Sequence, residues 1–299
     1  MKKFLCLRPV RNGAGILALT VSAAFLLSIS AAAQEVDLQK LQPQDSLWVI
    51  GHRSGRFEFD ENTLQGFKDA YDFGLRGFET DIRLTRDGVL VIMHDNYVSR
   101  VMKGTGIVEE NDWSYFEPMR SKFGDNPITK FEDLLSFFNS KEGLYVEFEL
   151  KSNPEYYPDS LMRDYCDRIY TALFAAEPEG SCYVISSFDH RAIRYLIEKY
   201  PERKDRFMPI FGKSVFQDVI DEAVDMGVTR VAAMLPGTSY NKVQELHEAG
   251  IKWVNLWPVR TPDEAMRAIY VGSNILCMDA PKTVKAFMDE KAPWIKIRW

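Results

Sequence analysis

The chain has 299 residues, of which 46% are hydrophobic and 27% are charged. This is an ordinary globular composition, and it excludes disordered, collagen-like and coiled-coil chains. Lysine and arginine number 37 against 43 aspartate and glutamate residues, so the net charge is −6. A protein that binds the phosphate backbone of nucleic acid is expected to be basic. The acidic balance therefore predicts no nucleic-acid partner.

Residues 1–33 have the layout of a secretory signal peptide. Residues 1–11 are basic, residues 14–30 are apolar and uncharged, and the small residues Ala31, Ala32 and Ala33 follow. This order predicts cleavage after Ala33 and export to the periplasm or the medium. An uncleaved anchor helix is the alternative, but the apolar run is short for a membrane span of ~20 residues. After cleavage, no stretch of the sequence predicts a stable membrane span.

In residues 34–299, short β-branched runs alternate with amphipathic stretches. The runs predict eight strands, at 47–53, 77–84, 144–151, 182–187, 206–211, 230–235, 251–259 and 275–280. The amphipathic stretches predict helices at 63–73, 160–175, 190–199, 214–226, 241–249, 262–270 and 283–290. Eight strands with intervening helices favour an α/β fold, a (β/α)8 TIM barrel, as the single domain of residues 34–299. An open doubly wound sheet is the alternative, because periodicity does not report closure.

An irregular insertion follows the second predicted strand. Asp87-Gly88 separates that strand from another extended run over residues 89–93, and this pattern predicts a small β-hairpin. Residues 96–130 have weak periodicity and contain several glycines, which predicts a long loop over one face of the fold. Long ordered loops in barrels often build or cover active sites.

Two of the four histidines stand at the ends of predicted strands. His52 ends the first strand, and His94 ends the hairpin strand. TIM barrels place their active sites at the carboxyl ends of strands, so both imidazoles are candidates for acid–base catalysis. A single histidine at a strand end is more often structural. Two of them near carboxylates and an arginine are less easily explained as structural residues.

Acidic side chains repeat with strand spacing at the same end of the fold. Glu79 and Asp81 leave one face of the second strand, and Glu149 lies on the next strand with Glu147 at the same parity. Neighbouring carboxylates repel each other unless a cation neutralises them. Three or four acids at the open end of a barrel suit a divalent metal with oxygen ligands, Ca²⁺ or Mg²⁺.

Two basic residues stand beside these acids. The guanidinium of Arg53 suits two phosphate oxygens, whereas Lys151 supplies a point charge. The alternative is a network of buried ion pairs, in which these cations neutralise the acids without a metal. Trp257 ends the seventh strand, where it would either wall a substrate pocket or pack as a core or rim tryptophan.

Two imidazoles, three acids and two cations together match the hydrolysis of a phosphodiester. A metal and basic side chains neutralise the charge that builds on the phosphate in the transition state. One histidine would take a proton from the nucleophile, and the other would give a proton to the departing alkoxide. The sequence leaves open which histidine is the base, and whether the nucleophile is water or a substrate hydroxyl.

The order of these motifs resembles that of the glycerophosphodiester phosphodiesterase family. The first group of matching motifs is Gly51-His52-Arg53, Glu61-Asn62-Thr63, Glu79-Thr80-Asp81, Thr85-Arg86-Asp87-Gly88 and His94-Asp95. Later matches are Arg100 with Gly104-Thr105-Gly106, Glu149-Leu150-Lys151, Ser187-Phe188-Asp189, Asn255-Leu256-Trp257 and Asp279-Ala280-Pro281. The resemblance covers nearly all of residues 34–299.

The resemblance implies a TIM barrel that hydrolyses glycerophosphodiesters, as small-molecule substrates, to an alcohol and glycerol 3-phosphate. By matching positions, it implies acid–base catalysis by His52 and His94, metal binding by Glu79, Asp81 and Glu149, and phosphate binding by Arg53 and Lys151. It also implies that Glu61, Asn62 and Thr63 support these groups through hydrogen bonds.

Two other functions are consistent with the sequence. A related barrel phospholipase that acts on lipid head groups would need an exposed membrane-facing loop, for which Tyr115, Phe116 and Phe123 are candidates. A non-catalytic extracellular binding protein would keep the barrel, although the presence of both histidines argues against it. The sequence does not define an oligomeric state.

Overall fold

The computed structural model describes residues 47–299, and the predicted signal peptide over residues 1–33 lies outside them. The strands, in chain order, are β1 (Leu47–His52), β2 (Gly77–Leu84), β3 (Leu90–Ile92), β4 (Tyr145–Leu150), β5 (Cys182–Ser187), β6 (Phe207–Ser214), β7 (Arg230–Met234), β8 (Trp253–Val259), β9 (Ile275–Met278) and β10 (Ile297–Arg298). Eight of them form a closed parallel barrel in the order β1, β2, β4, β5, β6, β7, β8, β9, and β9 pairs with β1. The predicted TIM barrel is confirmed, and the open doubly wound sheet is excluded.

The other two strands lie outside the ring. β3 pairs antiparallel with β2, which confirms the hairpin that Asp87-Gly88 predicts. β10 was not predicted from the sequence; it pairs with the beginning of β1, where Leu47 lies opposite Ile297. A two-residue strand carries too little periodic signal to be recognised in a sequence.

The helices described in residues 47–299 are α1 (Leu64–Phe73), α2 (Trp113–Phe116), α3 (Phe131–Asn139), α4 (Asp159–Ala175), α5 (His190–Lys199), α6 (Gln217–Met226), α7 (Tyr240–Glu248), α8 (Pro262–Val271) and α9 (Pro281–Lys291). Within this range, no helix combines the length and apolarity needed to cross a membrane. The predicted helix over 214–226 is wrong at its start, because Ser214 ends β6 and the helix begins at Gln217.

Helix α3, which covers the hairpin strand, has no counterpart among the elements predicted from the sequence. It buries Phe131, Leu134, Leu135 and Phe138, at the spacing of one helical face. Its aromatic residues have weaker helix propensity than leucine or alanine, so packing of this face stabilises the helix more than local preference does.

Residues 96–130 form an ordered excursion with its own small core. Two 3-10 helices, Val98–Arg100 and Val108–Glu110, precede α2. The buried residues of the cluster beneath them are Val91, Met93, Val98, Met102, Val108, Phe116 and Ile128. This packing fixes the loop, and it brings Arg100 to the edge of the barrel.

Alternation along the strands divides the barrel interior into layers. Apolar residues fill the lower part of the interior, among them Ile50, Val184, Met208, Ala232 and Ile275. Towards the carboxyl ends, the inward positions become polar. The register of β2 and β4 places Glu79 beside Glu147 and Asp81 beside Glu149, so two acidic pairs are stacked above the apolar layer.

Candidate active site

A cavity of about 290 Å³ opens at the carboxyl ends of the barrel strands. Six predicted site residues line it: His52, Arg53, Glu79, His94, Glu149 and Trp257. Parallel pairing explains the convergence, because β1 places His52 beside Glu79 and β4 places Glu149 beside Asp81. The structure therefore brings the two predicted imidazoles and the predicted acids to one place.

The three predicted metal ligands form a compact cluster. One carboxylate oxygen from each of Glu79, Asp81 and Glu149 lies within 4.8 Å of the other two. Burial, together with the charges of Asp81 and Glu149, raises the pKa of Glu79 well above its usual range. Burial favours protonation of Asp81 as well, but the Lys151 ammonium 2.9 Å away holds the pKa of Asp81 well below its usual range.

The two predicted phosphate ligands are paired with the acids. Arg53 places Nη1 3.0 Å from Glu61 Oε1 and Nε 3.5 Å from Asp81 Oδ2. Lys151 contacts both Asp81 and Glu149. The ion pairs of the alternative interpretation are thus present. Because each cation is already shared between two carboxylates, a bound phosphate would compete with these pairs.

One oxygen of the cluster lies outside this ion-pair network. Glu79 Oε2 accepts the backbone N–H of Arg53 at 3.0 Å, but Glu79 Oε1 is buried and has no hydrogen-bond partner among residues 47–299. A buried polar atom without a partner costs roughly 1–3 kcal/mol. A divalent cation would satisfy this oxygen, and an all-carboxylate donor set fits Ca²⁺ or Mg²⁺. The residues present therefore fit a hard metal ion.

Unusual backbone geometry shapes the loop after β1. Arg53, Ser54 and Asn62 have φ values of 54°, 74° and 53°, three of the four left-handed non-glycine residues in the described chain. Such conformations cost roughly 1–3 kcal/mol each and often lie at functional sites. Here the turn directs the N–H of Arg53 towards Glu79.

The motif Glu61-Asn62-Thr63 supports the cluster in three ways. Glu61 accepts hydrogen bonds from both terminal nitrogens of Arg100 at 2.7 Å, and it also accepts one from Arg53. Asn62 Nδ2 donates to Asp81 Oδ2 at 2.7 Å. Thr63 lies further from the acids: its Oγ1 accepts the N–H of Gly66 at 3.0 Å, so it caps α1 and fixes the loop.

His52 is held by a buried carboxylate. Its Nδ1 lies 2.5 Å from Asp279 Oδ1, and its Nε2 lies 3.8 Å from Glu79 Oε2. Arg56 donates to both oxygens of Asp279 at 2.8 Å. Burial lowers the pKa of His52 to about 4. Burial favours protonation of Asp279, but hydrogen bonds from His52 and Arg56 hold the pKa of Asp279 well below its usual range.

His94 has a similar partner at the rim of the cavity. Its Nδ1 lies 2.6 Å from Asp95 Oδ1, and Arg100 Nε lies 2.5 Å from Asp95 Oδ2. Arg83 donates to the carbonyl oxygen of His94 from two nitrogens, at 2.9 and 2.6 Å. Arg83 therefore holds the backbone of His94, and Asp95 orients its ring.

A fourth carboxylate lines the cavity next to the cluster. Glu147 lies beside Glu79 in the sheet register, but it accepts from Tyr145 Oη at 2.9 Å and from Asn255 Nδ2 at 2.7 Å. Burial nevertheless raises the pKa of Glu147 to about 7. Because other side chains occupy both of its oxygens, Glu147 is not part of the predicted metal-binding set.

Aromatic residues form the wall beside the cavity. Trp257 contacts Phe188 edge to face, with ring centroids 5.6 Å apart. Phe188 is 46% exposed and also lines a wider groove of about 650 Å³ that adjoins the cavity at His94 and Glu149. Trp257 thus lies at the pocket wall, which is the first of the two positions expected from the sequence.

The three aromatic residues predicted for a membrane-facing loop lie in different environments. Phe116 is buried in the core of the excursion over residues 96–130, whereas Tyr115 and Phe123 are 46% and 73% exposed. Phe116 is therefore not available for contact with a lipid surface.

Three charged residues of this site stand in the matching motifs without a role predicted from the sequence. Asp279 and Asp95 hold the two histidines, and Arg100 holds Glu61. The available signal was position: Asp279 follows the last barrel strand, at the end where His52 and Glu79 lie.

Comparison with known proteins identifies the family. Residues 52–283 match the model of the glycerophosphoryl diester phosphodiesterase family. A glycerophosphodiester phosphodiesterase of Caldanaerobacter subterraneus is 28% identical over 249 residues, which cover 79% of this chain and 95% of the relative. Glycerophosphodiester phosphodiesterase 1 of Rattus norvegicus is 26% identical over 263 residues and covers 76% of each chain.

Solved structures show the same fold. A phosphodiesterase of Oleispira antarctica, solved in complex with the product sn-glycerol 3-phosphate, matches with a TM-score of 0.69 at 19% identity and covers 85% of this chain and 99% of its own. A glycerophosphodiester phosphodiesterase of Parabacteroides distasonis matches with a TM-score of 0.64 at 19% identity and covers 84% and 100%. The chain therefore belongs to the glycerophosphoryl diester phosphodiesterase family of phosphoric diester hydrolases, as its motifs predict.

Proposed function

We propose that this protein is an exported glycerophosphodiester phosphodiesterase that depends on Ca²⁺ or Mg²⁺ and uses His52 and His94 in acid–base catalysis. It would hydrolyse glycerophosphodiesters to an alcohol and glycerol 3-phosphate. The observation that carries the proposal is the convergence of two aspartate-paired imidazoles and three carboxylates on one cavity, in a chain of this family. The pattern of residues 1–33 supports export.

The product suggests how the substrate is placed. The similar Oleispira protein binds sn-glycerol 3-phosphate. In this chain, the cavity would take the phosphate and the adjoining groove would take the alcohol, because His94 lines both. Arg53 and Lys151 would exchange some of their contacts with the acids for contacts with the phosphate oxygens.

We assign the role of base to His52. Asp279 is an ionised acceptor, so the Nδ1 that faces it carries the proton and Nε2 keeps a lone pair directed into the cavity. Nε2 would accept the proton of the attacking hydroxyl, which belongs to water or to a neighbouring substrate hydroxyl. Asp279 would stabilise the imidazolium that results, as carboxylates do in other catalytic His–Asp pairs.

We assign the role of acid to His94. It lies at the boundary between the cavity and the groove, and Asp95 Oδ1 lies 2.6 Å from its Nδ1, which fixes the orientation of the ring. As the phosphorus–oxygen ester bond breaks, His94 would give its proton to the departing alkoxide. Proton exchange with solvent then restores both histidines.

Glu79, Asp81 and Glu149 would hold the metal ion, which when bound supplies positive charge against the phosphate as negative charge builds there. Until a metal is present, Lys151 and Arg53 neutralise only part of this cluster, since Glu79 Oε1 has no partner in the described chain.

A substrate panel tests the proposal. The purified protein is incubated with glycerophosphocholine, glycerophosphoethanolamine and lysophosphatidylcholine, and both glycerol 3-phosphate and the released alcohol are measured directly. We expect glycerol 3-phosphate from the first two substrates, and its formation should be roughly 10²–10⁴-fold slower in the His94→Ala variant. Hydrolysis of the lysolipid alone would favour the phospholipase alternative, and no turnover by folded protein would favour a binding protein.

A further inference from the structure

A second set of metal-ligating atoms lies in the same cavity and shares one residue with the acid cluster. One ligand atom from each of His52, Glu79 and Cys277 lies within 4.8 Å of the other two. This set offers an imidazole, a carboxylate and a thiol, whereas the first set offers three carboxylates. Zn²⁺ and Cd²⁺ favour sulfur and nitrogen ligands, whereas Ca²⁺ and Mg²⁺ favour oxygen.

The imidazole is already oriented as a metal ligand. Its Nδ1 is held by Asp279 at 2.5 Å, and its Nε2 lies 3.8 Å from Glu79 Oε2. Zinc-binding histidines usually donate their other ring N–H to a carboxylate in this way, which fixes the tautomer and raises the basicity of the ligating nitrogen.

The other two ligands are also available. Glu79 Oε1 is buried without a hydrogen-bond partner in the described part of the chain. Cys277 is 4% exposed, lines the cavity and forms no disulfide within residues 47–299. Ligand atoms around tetrahedral zinc lie about 3.5 Å apart, as bonds of ~2.0–2.3 Å require. Small side-chain rotations, with movements of about 1 Å, would bring these three atoms to that distance.

We propose that His52, Glu79 and Cys277 form an inhibitory site for Zn²⁺ or Cd²⁺, and that this site and the Ca²⁺ or Mg²⁺ site exclude each other because both need Glu79. The Cys277 thiol loses its proton to solvent as the sulfur–metal bond forms. The metal takes the Nε2 lone pair of His52, which then accepts no proton. The binding of Zn²⁺ or Cd²⁺ does not depend on the proposed function, whereas the inhibition of hydrolysis by these ions rests on the proposed function.

The binding test uses Cd²⁺ because cadmium–thiolate bonds absorb in the ultraviolet. Metal-depleted protein is titrated with Cd²⁺, and we expect the band to saturate at one equivalent. The Cys277→Ala variant should lose the band, whereas the matched Cys182→Ala variant, altered on another barrel strand, should keep it. No band in the unmodified protein, or an undiminished band in Cys277→Ala, would overturn the proposal.

A competition experiment tests the shared ligand. Added Mg²⁺ or Ca²⁺ should raise the apparent Kd for Cd²⁺ in proportion to its concentration. Cadmium affinity that does not change with either ion would show that the two sites do not share Glu79.

X-ray absorption at the zinc edge needs no variant, so it decides the ligand set even if Cys277→Ala does not fold. We expect one sulfur at about 2.3 Å beside nitrogen and oxygen ligands. A shell of nitrogen and oxygen alone would overturn the proposal.

Inhibition is measured in the glycerophosphocholine assay, each variant against its own rate without zinc. The zinc concentration for half inhibition should rise roughly tenfold or more in Cys277→Ala and stay unchanged in Cys182→Ala. Equal inhibition of both variants would overturn an inhibitory role for Cys277. If the cadmium band forms but no substrate is hydrolysed, the proposed function fails and the metal site stands.

Discussion

Asp279 holds His52 at 2.5 Å, although 227 positions separate these two residues in the sequence. Closure of the barrel makes the contact possible, because β9 and β1 are neighbours in the sheet. The carboxylate is also held by Arg56, so the orientation of the proposed base depends on a chain of three residues.

The Asp279→Asn variant should therefore lose activity without losing the substrate site. An amide no longer fixes the Nδ1 tautomer, so we expect kcat to fall about 10–100-fold with little change in KM. The matched control is Arg56→Gln, which removes the clamp on Asp279 but leaves its contact with His52 and should lower kcat less. Steady-state kinetics of both variants gives the comparison. An unchanged kcat in Asp279→Asn would exclude a positioning role.

Removing either imidazole should stop one proton transfer. His52→Ala and His94→Ala should each lower kcat by roughly 10²–10⁴-fold, the usual contribution of acid–base catalysis. Thermal melts should show that both variants remain folded, since His52 and His94 contribute little to the apolar core. Near-full activity in either variant would remove that residue from the mechanism.

Replacement of Glu79 should separate metal binding from stability. Burial, Asp81 and Glu149 all disfavour the ionised form of Glu79, so we expect the metal-free Glu79→Gln variant to melt at the same or a higher temperature. Affinity for Mg²⁺ or Ca²⁺ should fall at least about tenfold, since one of three ligands has lost its charge. Calorimetric titration beside a thermal melt measures both. A lower melting temperature with unchanged metal affinity would mean that Glu79 is a structural residue.

Glu147 should make stability depend on pH. Burial raises its pKa from 4.5 to about 7, so between these values the folded protein keeps a proton that the unfolded chain has lost. The contribution of Glu147 to stability therefore falls as the pH rises through this range. Glu147→Gln should reduce this loss, and the exposed control Glu142→Gln should not. Melting temperatures across the range, with chelator present, make the comparison. Equal slopes in all three proteins would contradict the shifted pKa.

The positions of several site residues could be predicted because they follow from local periodicity. His52 ends β1, Glu149 is the second-last residue of β4, and Glu79 and Asp81 leave one face of β2. Parallel pairing brings these positions together in the barrel. The sequence could therefore indicate which residues meet, as well as the fold that brings them together.

Their partners could not be predicted in the same way. The contact of His52 with Asp279 depends on barrel closure, and the contact of Arg100 with Glu61 depends on the path of an irregular loop. The position of Arg53 directly after His52 also does not determine whether its guanidinium faces a phosphate or the acids. In the structure it faces Glu61 and Asp81.

The most direct test of the central claim is the hydrolysis of glycerophosphocholine by metal-depleted protein. With EDTA present, we expect no glycerol 3-phosphate from the unmodified chain, and we expect added Mg²⁺ or Ca²⁺ to restore its formation. Undiminished turnover in EDTA would contradict a metal ion held by Glu79, Asp81 and Glu149.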